Sequence, residues 1–526
     1  MTHPTFHDNP IVYHILTDRF CDPAREHGLT RVDGDAIGTF HGGKLAGITR
    51  KIEEDWFCAL GVNAILISAP YEQIRGWVPG EGGFRHYAYH GYYALDYTLV
   101  DARLGTAQDL KNLVDAAHRR GIRVLLDIVL NHPGYPDLDT MHALDIPVLK
   151  PGWRDATPAT YFDYLDKTSA GFAAWWGPDW VRGDYPGYPA GGGDDLTMLL
   201  SGLPDFRTES EACVRLPAFL ANKPGSKARD LPGTTVRGYL VEWLTAWVRD
   251  FGIDGFRCDS ARHVELDAWY ALKEAATTAL ADWKRAHPAE AIDTAPFWMT
   301  GEVFGHGIER SDYFDFGFDN LINFQFPAHL ARAPDLDTLY RAYAKRLAGR
   351  PDHDVLSYVS SHDTRLCDRG SLIAAGTALL LAPGGVLILY GDETARPPGP
   401  CTPADPAQAT RSDMNWDRID VDVLAHWRKL GRFRARHVAL ARGTHACLQK
   451  APHVFARIDA CSGDRVVVAP EVRSPVSIPV SGVFAEGERL CDAYSGRHLT
   501  VRHGRVDVES SGCVLLESAA AGEARP

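Results

Sequence analysis

The sequence lacks the features of an exported or membrane-spanning chain. Its 526 residues contain no apolar run long enough to cross a bilayer. The first ten residues, MTHPTFHDNP, have neither the basic start nor the apolar centre of a signal peptide. We therefore expect a cytoplasmic protein, or a periplasmic one only if a leader has been removed.

Paired or metal-binding cysteine motifs are also missing. The ten cysteines are scattered, without a CxxC motif or the Cys/His spacing of a zinc site. Cys58 and Cys258 fall within predicted helix and strand, where we expect buried free thiols. This pattern favours a reduced compartment.

An excess of positive charge is absent, since the formal net charge is −13. Such a chain has no electrostatic means of gripping nucleic acid or an anionic membrane, and we expect neither as a partner. A neutral substrate needs no such steering. Thirteen Trp and twenty Tyr would suit stacking on sugars, although aromatic rings more often belong to the core.

Strand-length apolar runs alternate with amphipathic helical stretches over most of the chain. The predicted strands span residues 11–20, 62–70, 123–131, 252–260, 297–303, 320–324, 354–363 and 384–393. The clearest helices between them span 45–60, 106–120, 236–250, 268–286, 336–348 and 371–381. Such alternation indicates a parallel sheet, and eight units favour an α/β fold of the closed (β/α)₈ TIM-barrel type over an open sheet.

Two regions depart from this alternation. Residues 133–235 are rich in Pro, Gly, Asp, Trp and Tyr, and a compact domain rarely carries so long a structureless loop. We interpret them as a domain inserted after strand 3 of a barrel formed by residues 1–132 and 236–438. Short β-type runs separated by turns predict a C-terminal antiparallel β-sandwich over 439–518, followed by a tail at 519–526.

Polar residues gather where four of the predicted strands end. Because a (β/α)₈ barrel forms its active site at the carboxyl ends of its strands, these residues should meet at one mouth. A single Asp at a strand end is more often a helix cap or a turn former. Several carboxylates beside Arg and His favour a functional site, since uncompensated charges there would be costly. The strand ends carry Asp127, Asn131, His132, Arg257, Asp259, Arg262, His263, Glu302, His362 and Asp363.

The alternation of side chains along a strand places Cys258 and Asp259 on opposite sides of strand 4. Arg257 and Asp259 point to the same side of the strand, whereas Cys258 points to the other. We therefore expect Arg257 to lie beside Asp259, and Cys258 to face the outer helices as an inert thiol.

The four strand-end segments resemble the signature regions of the α-amylase family, glycoside hydrolase family 13. They span residues 127–132, 255–263, 301–306 and 359–364. Further similar segments are Tyr-His-Gly-Tyr at 89–92, Leu-Pro-Asp at 203–205 and Gly-Asp-Glu at 391–393. Segments 253–264, 301–312, 360–365 and 411–416 are similar to the bacterial periplasmic type within that family.

The resemblance implies roles for particular residues. Asp259 would be the nucleophile, Glu302 the acid/base and Asp363 the stabiliser of the transition state. It implies substrate binding by His90, Tyr92, Asp127, His132, Arg257, Arg262, His263 and His362. Arg262 stands where many members have Lys. This difference leaves open which sugars the enzyme prefers on the acceptor side, where the departing part of the chain binds.

The resemblance also bears on ions. Asn131, Asp205 and the carbonyl of His263 match calcium ligands of the family, and oxygen donors suit calcium. Ser361 stands where chloride-binding members have Asn, so we expect no chloride. A fourth protein ligand for calcium is not identified.

The leading hypothesis is retaining endo-hydrolysis of α-1,4-glucosidic bonds in starch, glycogen or maltodextrin by a monomer. The same triad serves α-glucosidases and glucan-transferring or isomerising relatives, so fold and triad alone do not separate these activities. A third class, a non-catalytic sugar-binding or partner subunit, is disfavoured because all three carboxylates are present.

Overall fold

Eight parallel strands, one within each predicted strand, close into a barrel in which consecutive strands are neighbours. The computed structural model describes residues 5–25, 29, 37–473, 475–509 and 511–519. The barrel strands are β1 (Ile11–Ile15), β2 (Ala64–Ile67), β3 (Arg123–Val129), β4 (Gly255–Asp259), β5 (Trp298–Gly301), β6 (Asn320–Asn323), β7 (Val355–Ser357) and β8 (Gly385–Leu389). The predicted (β/α)₈ barrel is confirmed.

Seven helices of nine or more residues surround the barrel in the described part of the chain. They are α1 (Leu45–Glu53), α2 (Ala107–His118), α3 (Val236–Phe251), α4 (Leu266–Ala286), α5 (Leu336–Leu347), α6 (Leu372–Leu380) and α7 (Val421–Arg436). Between β5 and β6 the place of a helix is taken by a short 3₁₀ turn, Asp312–Phe316. None of the described helices combines the length and the apolarity that a membrane span requires.

Helix α2 begins and ends as its sequence predicts. The Thr106 side chain accepts a hydrogen bond from the backbone N–H of Asp109, and the Asp109 carboxylate reaches back to the N–H of Thr106. Beyond the other end, Gly121 has a φ of 69°, a left-handed conformation that ends a helix and favours glycine. These local signals fix the helix that follows the second strand.

The barrel interior changes from apolar to polar along the strands. Val12, Leu66, Leu125, Leu356 and Leu387 form an apolar layer that packs with Phe6 and Trp298 in one cluster. Side chains two residues apart on a strand point to the same face, so the inward face continues along the strands to polar residues. Leu125 leads to Asp127 on β3, and Asp127 pairs in register with Arg257 of β4.

The segment predicted as an inserted domain consists of short elements. It contains helices Leu138–Ala143 and Ala218–Asn222 and a two-stranded sheet of Val181–Arg182 and Asp205–Phe206. Trp175, Trp176 and Trp180 are 1%, 0% and 3% exposed and belong to the main core cluster, so these rings are core rather than an open sugar platform. Strands Tyr71–Gln73, Trp77–Pro79, Arg85–Tyr87 and Ala94–Val100 form a further excursion after β2, which we had not predicted.

The C-terminal region is antiparallel. Its strands are β9 (Thr444–Gln449), β10 (Val454–Asp459), β11 (Asp464–Val472), β12 (Val476–Pro479), β13 (Arg489–Asp492), β14 (Arg497–Thr500), β15 (Arg505–Val508) and β16 (Gly512–Ser518). A six-stranded sheet in the order β9-β10-β11-β16-β13-β14 accompanies the pair β12–β15, around a separate apolar core. The predicted domain boundaries stay predictions, and of the predicted tail only Ala519 lies among the described residues.

The cysteine expectation is half right. All ten are free thiols, and Cys258 is buried, with burial raising the pKa of its thiol well above the ordinary range. Cys58, in contrast, is exposed, because it lies in a short helix, Trp56–Ala59, whose buried face is formed by Trp56 and Phe57.

Asp337 and Cys447 meet His453 between α5 and the C-terminal sheet. Asp337 already accepts a hydrogen bond from His445 at 2.8 Å and pairs with Arg341. We therefore interpret this group as a polar contact between the two regions.

Candidate active site

One arginine stands at the centre of the predicted carboxylates. Nη1 of Arg257 donates to Asp127 Oδ1 and to Asp259 Oδ1, each at 2.7 Å. Its Nη2 lies 2.8 Å from Glu302 Oε1 and 3.9 Å from Asp363 Oδ2. The arginine is 1% exposed, so burial strengthens these interactions. The three predicted catalytic carboxylates therefore meet at one guanidinium.

Ser260 joins two of these carboxylates. Its hydroxyl donates to Asp259 Oδ2 at 2.8 Å, and its backbone N–H donates to Glu302 Oε2 at 3.0 Å. Ser260 has φ 49° and ψ 36°, a left-handed conformation that is strained for a non-glycine residue. The strained turn thus aims one residue's two donors at two different carboxylates.

Glu302 is held as a proton carrier. Burial raises the pKa of its carboxyl well above the ordinary range, and the negative charges of Asp259 and Asp363 raise it further, whereas Arg257 opposes the shift. A carboxyl group with these surroundings retains its proton at a pH where other carboxyls have lost theirs.

Asp363 has the opposite surroundings. Burial alone would raise its pKa, but His362, Arg411 and Arg257 together outweigh burial and hold the pKa well below its usual range. His362 Nε2 lies 2.9 Å from Asp363 Oδ2, and Arg411 Nη2 donates to Oδ1 at 2.8 Å. Glu302 and Asp363 therefore differ in protonation at the same mouth, as acid and stabiliser require.

Tyr92 connects Asp127 to His362. Its hydroxyl donates to Asp127 Oδ2 at 2.8 Å and lies 2.7 Å from His362 Nε2. Burial raises the pKa of Asp127 to about 7, against the opposing charge of Arg257. Asp127 has no solvent exposure and contacts Arg257 and Tyr92, so it lies behind these two residues, and its predicted contact with the substrate stays a prediction.

Two buried histidines present ring nitrogens without a hydrogen-bond partner among the described residues. The N–H of Tyr92 donates to His90 Nδ1 at 3.0 Å, so in the neutral ring the proton is on Nε2, which is unpartnered. His132 Nε2 is also unpartnered. Burial lowers the pKa of both rings, which keeps them neutral. A buried unpaired polar atom at a mouth indicates a place for a polar ligand.

Asn131, Asp205 and His263 come together as predicted. Asn131 Nδ2 lies 3.0 Å from both Asp205 Oδ1 and the carbonyl oxygen of His263. Arg182 pairs with the other oxygen of Asp205 at 2.7 Å. Burial raises the pKa of Asp205 to about 7 despite this arginine.

Arg262 and His263 lie on a 3₁₀ turn, Ala261–His263, directly after Ser260. Both contact Asp195 of the inserted segment, Arg262 through Nε at 2.7 Å and His263 through Nδ1 at 2.8 Å. The structure thus brings every predicted site residue to the mouth or its border.

Sequence reasoning missed three residues of this site. Ser260 directly follows Asp259, but a serine there resembles any turn residue. His14 lies on β1, and its ring centroid is 4.7 Å from that of His362. Its polar side chain two residues after Val12 was a signal for an inward position. Arg411 begins a segment that we noted only for its resemblance, and nothing local links it to Asp363.

The comparisons with known proteins agree with this geometry. The family model described as the alpha amylase catalytic domain matches residues 14–144. The chain is 48% identical over 473 residues to a periplasmic alpha-amylase of Escherichia coli (strain K12), covering 84% of this chain and 69% of that protein. It is 25% identical to a cyclomaltodextrin glucanotransferase of Bacillus sp. (strain 1011), over 73% of this chain and 49% of that protein.

A solved structure shares the fold. The alpha-amylase of Geobacillus thermoleovorans, crystallised with acarbose, matches with a TM-score of 0.66 and 23% identity, over 98% of this chain and 100% of that one. The expected cytoplasmic location is wrong, because the relative at 48% identity is periplasmic. That expectation rested on the first residues, of which 1–4 lie outside the described part of the chain. With that relative covered over more than two thirds of its length, the chain belongs to the α-amylase family, glycoside hydrolase family 13.

Proposed function

We propose that this enzyme is a retaining glycoside hydrolase that cleaves internal α-1,4-glucosidic bonds of starch, glycogen or maltodextrin. The observation that carries the proposal is the contact of Arg257 with all three carboxylates, combined with the opposite pKa shifts of Glu302 and Asp363. The family membership and the 48% identical α-amylase support the same activity.

The first step breaks the glycosidic bond. Protonated Glu302 gives its proton to the glycosidic oxygen while an oxygen of Asp259 attacks the anomeric carbon. The leaving chain departs with that proton, and a covalent glycosyl ester forms on Asp259. Arg257 and Ser260 hold the attacking carboxylate in place through its two oxygens.

The second step releases the sugar. Glu302, now a carboxylate, takes a proton from water as the water oxygen attacks the anomeric carbon and the ester bond to Asp259 breaks. Two inversions give net retention. While Asp259 is esterified its negative charge is gone, which removes one cause of the raised pKa of Glu302 and favours its role as base.

Asp363 would stabilise the positive charge that develops on the sugar ring between these states. His362 and Arg411 keep it ionised, so the negative charge is already in position before the reaction. His90 would donate from Nε2 and His132 would accept or donate through its own Nε2, while the ring of Tyr92 would stack on the sugar. Arg262 and His263 would contact the leaving part of the chain.

Calcium would join the inserted segment to the barrel. The donors fit: rotating the Asn131 amide by half a turn places its oxygen where the nitrogen lies, 3.0 Å from two further oxygens. Asp205 offers a buried carboxylate whose Oδ1 faces this site while Arg182 pairs with Oδ2. Asn131, Asp205 and the His263 carbonyl would hold the ion. Chelation should therefore lower the melting temperature and added CaCl₂ restore it; an unchanged melting temperature after prolonged chelation contradicts this site.

Product analysis tests the proposed activity. Soluble starch and maltoheptaose should yield maltooligosaccharides of intermediate length, and NMR should detect the α-anomer first. Glucose as the only product, with maltose also cleaved, would instead identify an α-glucosidase. A ladder of products longer than the substrate would identify a glucan-transferring enzyme, the activity named for the relative at 25% identity.

A further inference from the structure

Asp195 of the inserted segment forms hydrogen bonds with two residues of the turn Ala261–His263. Its carboxylate accepts a hydrogen bond from Arg262 Nε at 2.7 Å, and its backbone oxygen lies 2.8 Å from His263 Nδ1. A carbonyl oxygen only accepts, so Nδ1 donates, and in a neutral ring Nε2 of His263 is then an acceptor. Asp195 thus determines the orientation of both side chains and the tautomer of one.

This contact lies beside the predicted acid. The turn Ala261–His263 follows Ser260, whose N–H donates to Glu302 Oε2, and the N–H of Ala261 donates to the backbone oxygen of Glu302 at 2.9 Å. Glu302 protonates the oxygen of the departing chain under the proposed function, on which this inference rests. The glucose units of that departing chain therefore lie on the side of Arg262, His263 and Asp195.

The loop that carries Asp195 is tightly wound. Gly192 N–H donates to the Thr197 oxygen at 2.8 Å, and the Asp194 carboxylate accepts from Leu196 N–H at 2.9 Å. A Cβ on Gly191 would lie 2.5 Å from a carbon of Leu199, and one on Gly192 only 1.9 Å from the Thr197 hydroxyl oxygen. The close packing leaves Asp195 at a defined position rather than on a freely moving arm.

Stability does not explain the pair of Asp195 and Arg262. Their side chains are 44% and 48% exposed, and exposed ion pairs contribute little to stability because water and salt screen them. Exposure at the mouth instead leaves both groups open to a ligand. Asp195 engages Nε of Arg262, so this contact does not use the donors of the terminal nitrogens, which suit partners such as sugar hydroxyls.

We propose that Asp195 is a specificity-determining residue for the acceptor side of the cleft. It positions Arg262 and His263 to bind the glucose units that leave with the Glu302 proton. Without its charge, the departing part of the chain binds less tightly. Maltoheptaose would then shift so that fewer units occupy the acceptor side, and cleavage would move toward the reducing end.

The test compares Asp195→Asn with Asp194→Asn, a neighbouring acid changed in the same way. One substrate is maltoheptaose labelled at its reducing end, which fills the acceptor side with glucose units. The other is 2-chloro-4-nitrophenyl maltotrioside, whose leaving group is a phenol. Bond-cleavage frequencies and kcat/KM are measured for both.

For Asp195→Asn we expect kcat/KM on maltoheptaose to fall about three- to tenfold more than on the aryl maltotrioside, mainly through KM. Cleavage should shift toward the reducing end, and Asp195→Glu should recover part of the loss. Asp194→Asn should keep the wild-type cleavage pattern. In a double-mutant cycle, Arg262→Gln should add little to Asp195→Asn, because the two residues act as one unit.

An equal fall on both substrates would overturn the proposal, since it would indicate a structural role for Asp195. Wild-type cleavage positions in Asp195→Asn would overturn it too. A wild-type enzyme that cleaves neither substrate would instead reject the proposed function, and this result is distinct from the other two.

Discussion

The mouth of the barrel and its junction with the C-terminal domain both bury cationic and acidic side chains, but the ratio of cations to carboxylates differs. At the junction, His437 Nδ1 pairs with Asp464 at 2.8 Å and Nε2 with Glu517 at 2.6 Å. Arg436 adds a second cation to Glu517 at 2.9 Å. Each charge there has a partner of opposite sign. At the mouth, Arg257 faces four carboxylates, and Arg411 pairs with one of them, Asp363.

The pKa shifts follow the ratio of cations to carboxylates at each place. At the junction, the two carboxylates outweigh burial and raise the pKa of His437, and the cations likewise lower the pKa of Glu517 against the effect of burial. At the mouth, burial and like charges raise the pKa of Glu302 instead. Matched charges stabilise a junction, whereas an excess of one sign leaves a group ready to exchange a proton. The count of opposite charges, more than the residue types, separates a stabilising cluster from a catalytic one.

The largest expected effect comes from removing the reactive carboxylates. Asp259→Asn and Glu302→Gln should each lower kcat/KM on maltoheptaose by at least about 10²- to 10⁴-fold, because nucleophile and acid act in every turnover. Both changes keep the shape of the side chain, so melting temperature should stay near that of the wild type. A variant with a tenth of wild-type activity would contradict the assignment.

Arg257→Lys should have the next largest effect. A single ammonium cannot reproduce the fork of a guanidinium that reaches four carboxylates. We expect a fall of about 10²-fold in kcat/KM and, because buried carboxylates lose their partner, destabilisation of up to about 3–5 kcal/mol, measured by urea unfolding. The matched change at the junction, Arg436→Lys, should alter neither by much; equal effects at the two places would contradict the contrast between them.

Much of this arrangement could be predicted from the sequence because its signals are local. Strand-length apolar runs mark all eight barrel strands, and the polar residues that follow mark the mouth. The contact of Arg411 with Asp363 joins residues 48 positions apart and leaves no periodic trace. The excursion at 71–100 was missed because three of its four strands have only three residues each. The burial of Trp176 depends on α3, which a single segment does not reveal.

Arg411→Gln should have a smaller effect, visible mainly in the pH profile. Arg411 is one of the groups that lower the pKa of Asp363, so its loss should raise that pKa. As pH falls, Asp363 would take up a proton earlier, and the acid limb of kcat/KM should move to higher pH. Activity near neutral pH should fall by only about tenfold or less. An unchanged acid limb, measured between pH 3 and 7, would show that Asp363 does not depend on this arginine.

The smallest expected effect concerns the junction and leaves catalysis alone. A raised pKa in the folded state means that His437 stabilises the fold fully below the unfolded value of 6.5, and that this contribution is lost as pH rises through the folded pKa. His437→Gln should therefore lower the melting temperature at pH 6 by about 1–3 °C, and by less at pH 9.

Glu517, with a lowered pKa, loses its own contribution only as pH falls well below its ordinary range, so it does not mask the change. The kcat/KM on maltoheptaose should match the wild type at both pH values. An equal loss of stability at pH 6 and pH 9 would mean that the His437 ring stabilises the junction by packing rather than by charge. The junction would then differ from the mouth in how its side chains pack, and not in the pairing of its charges.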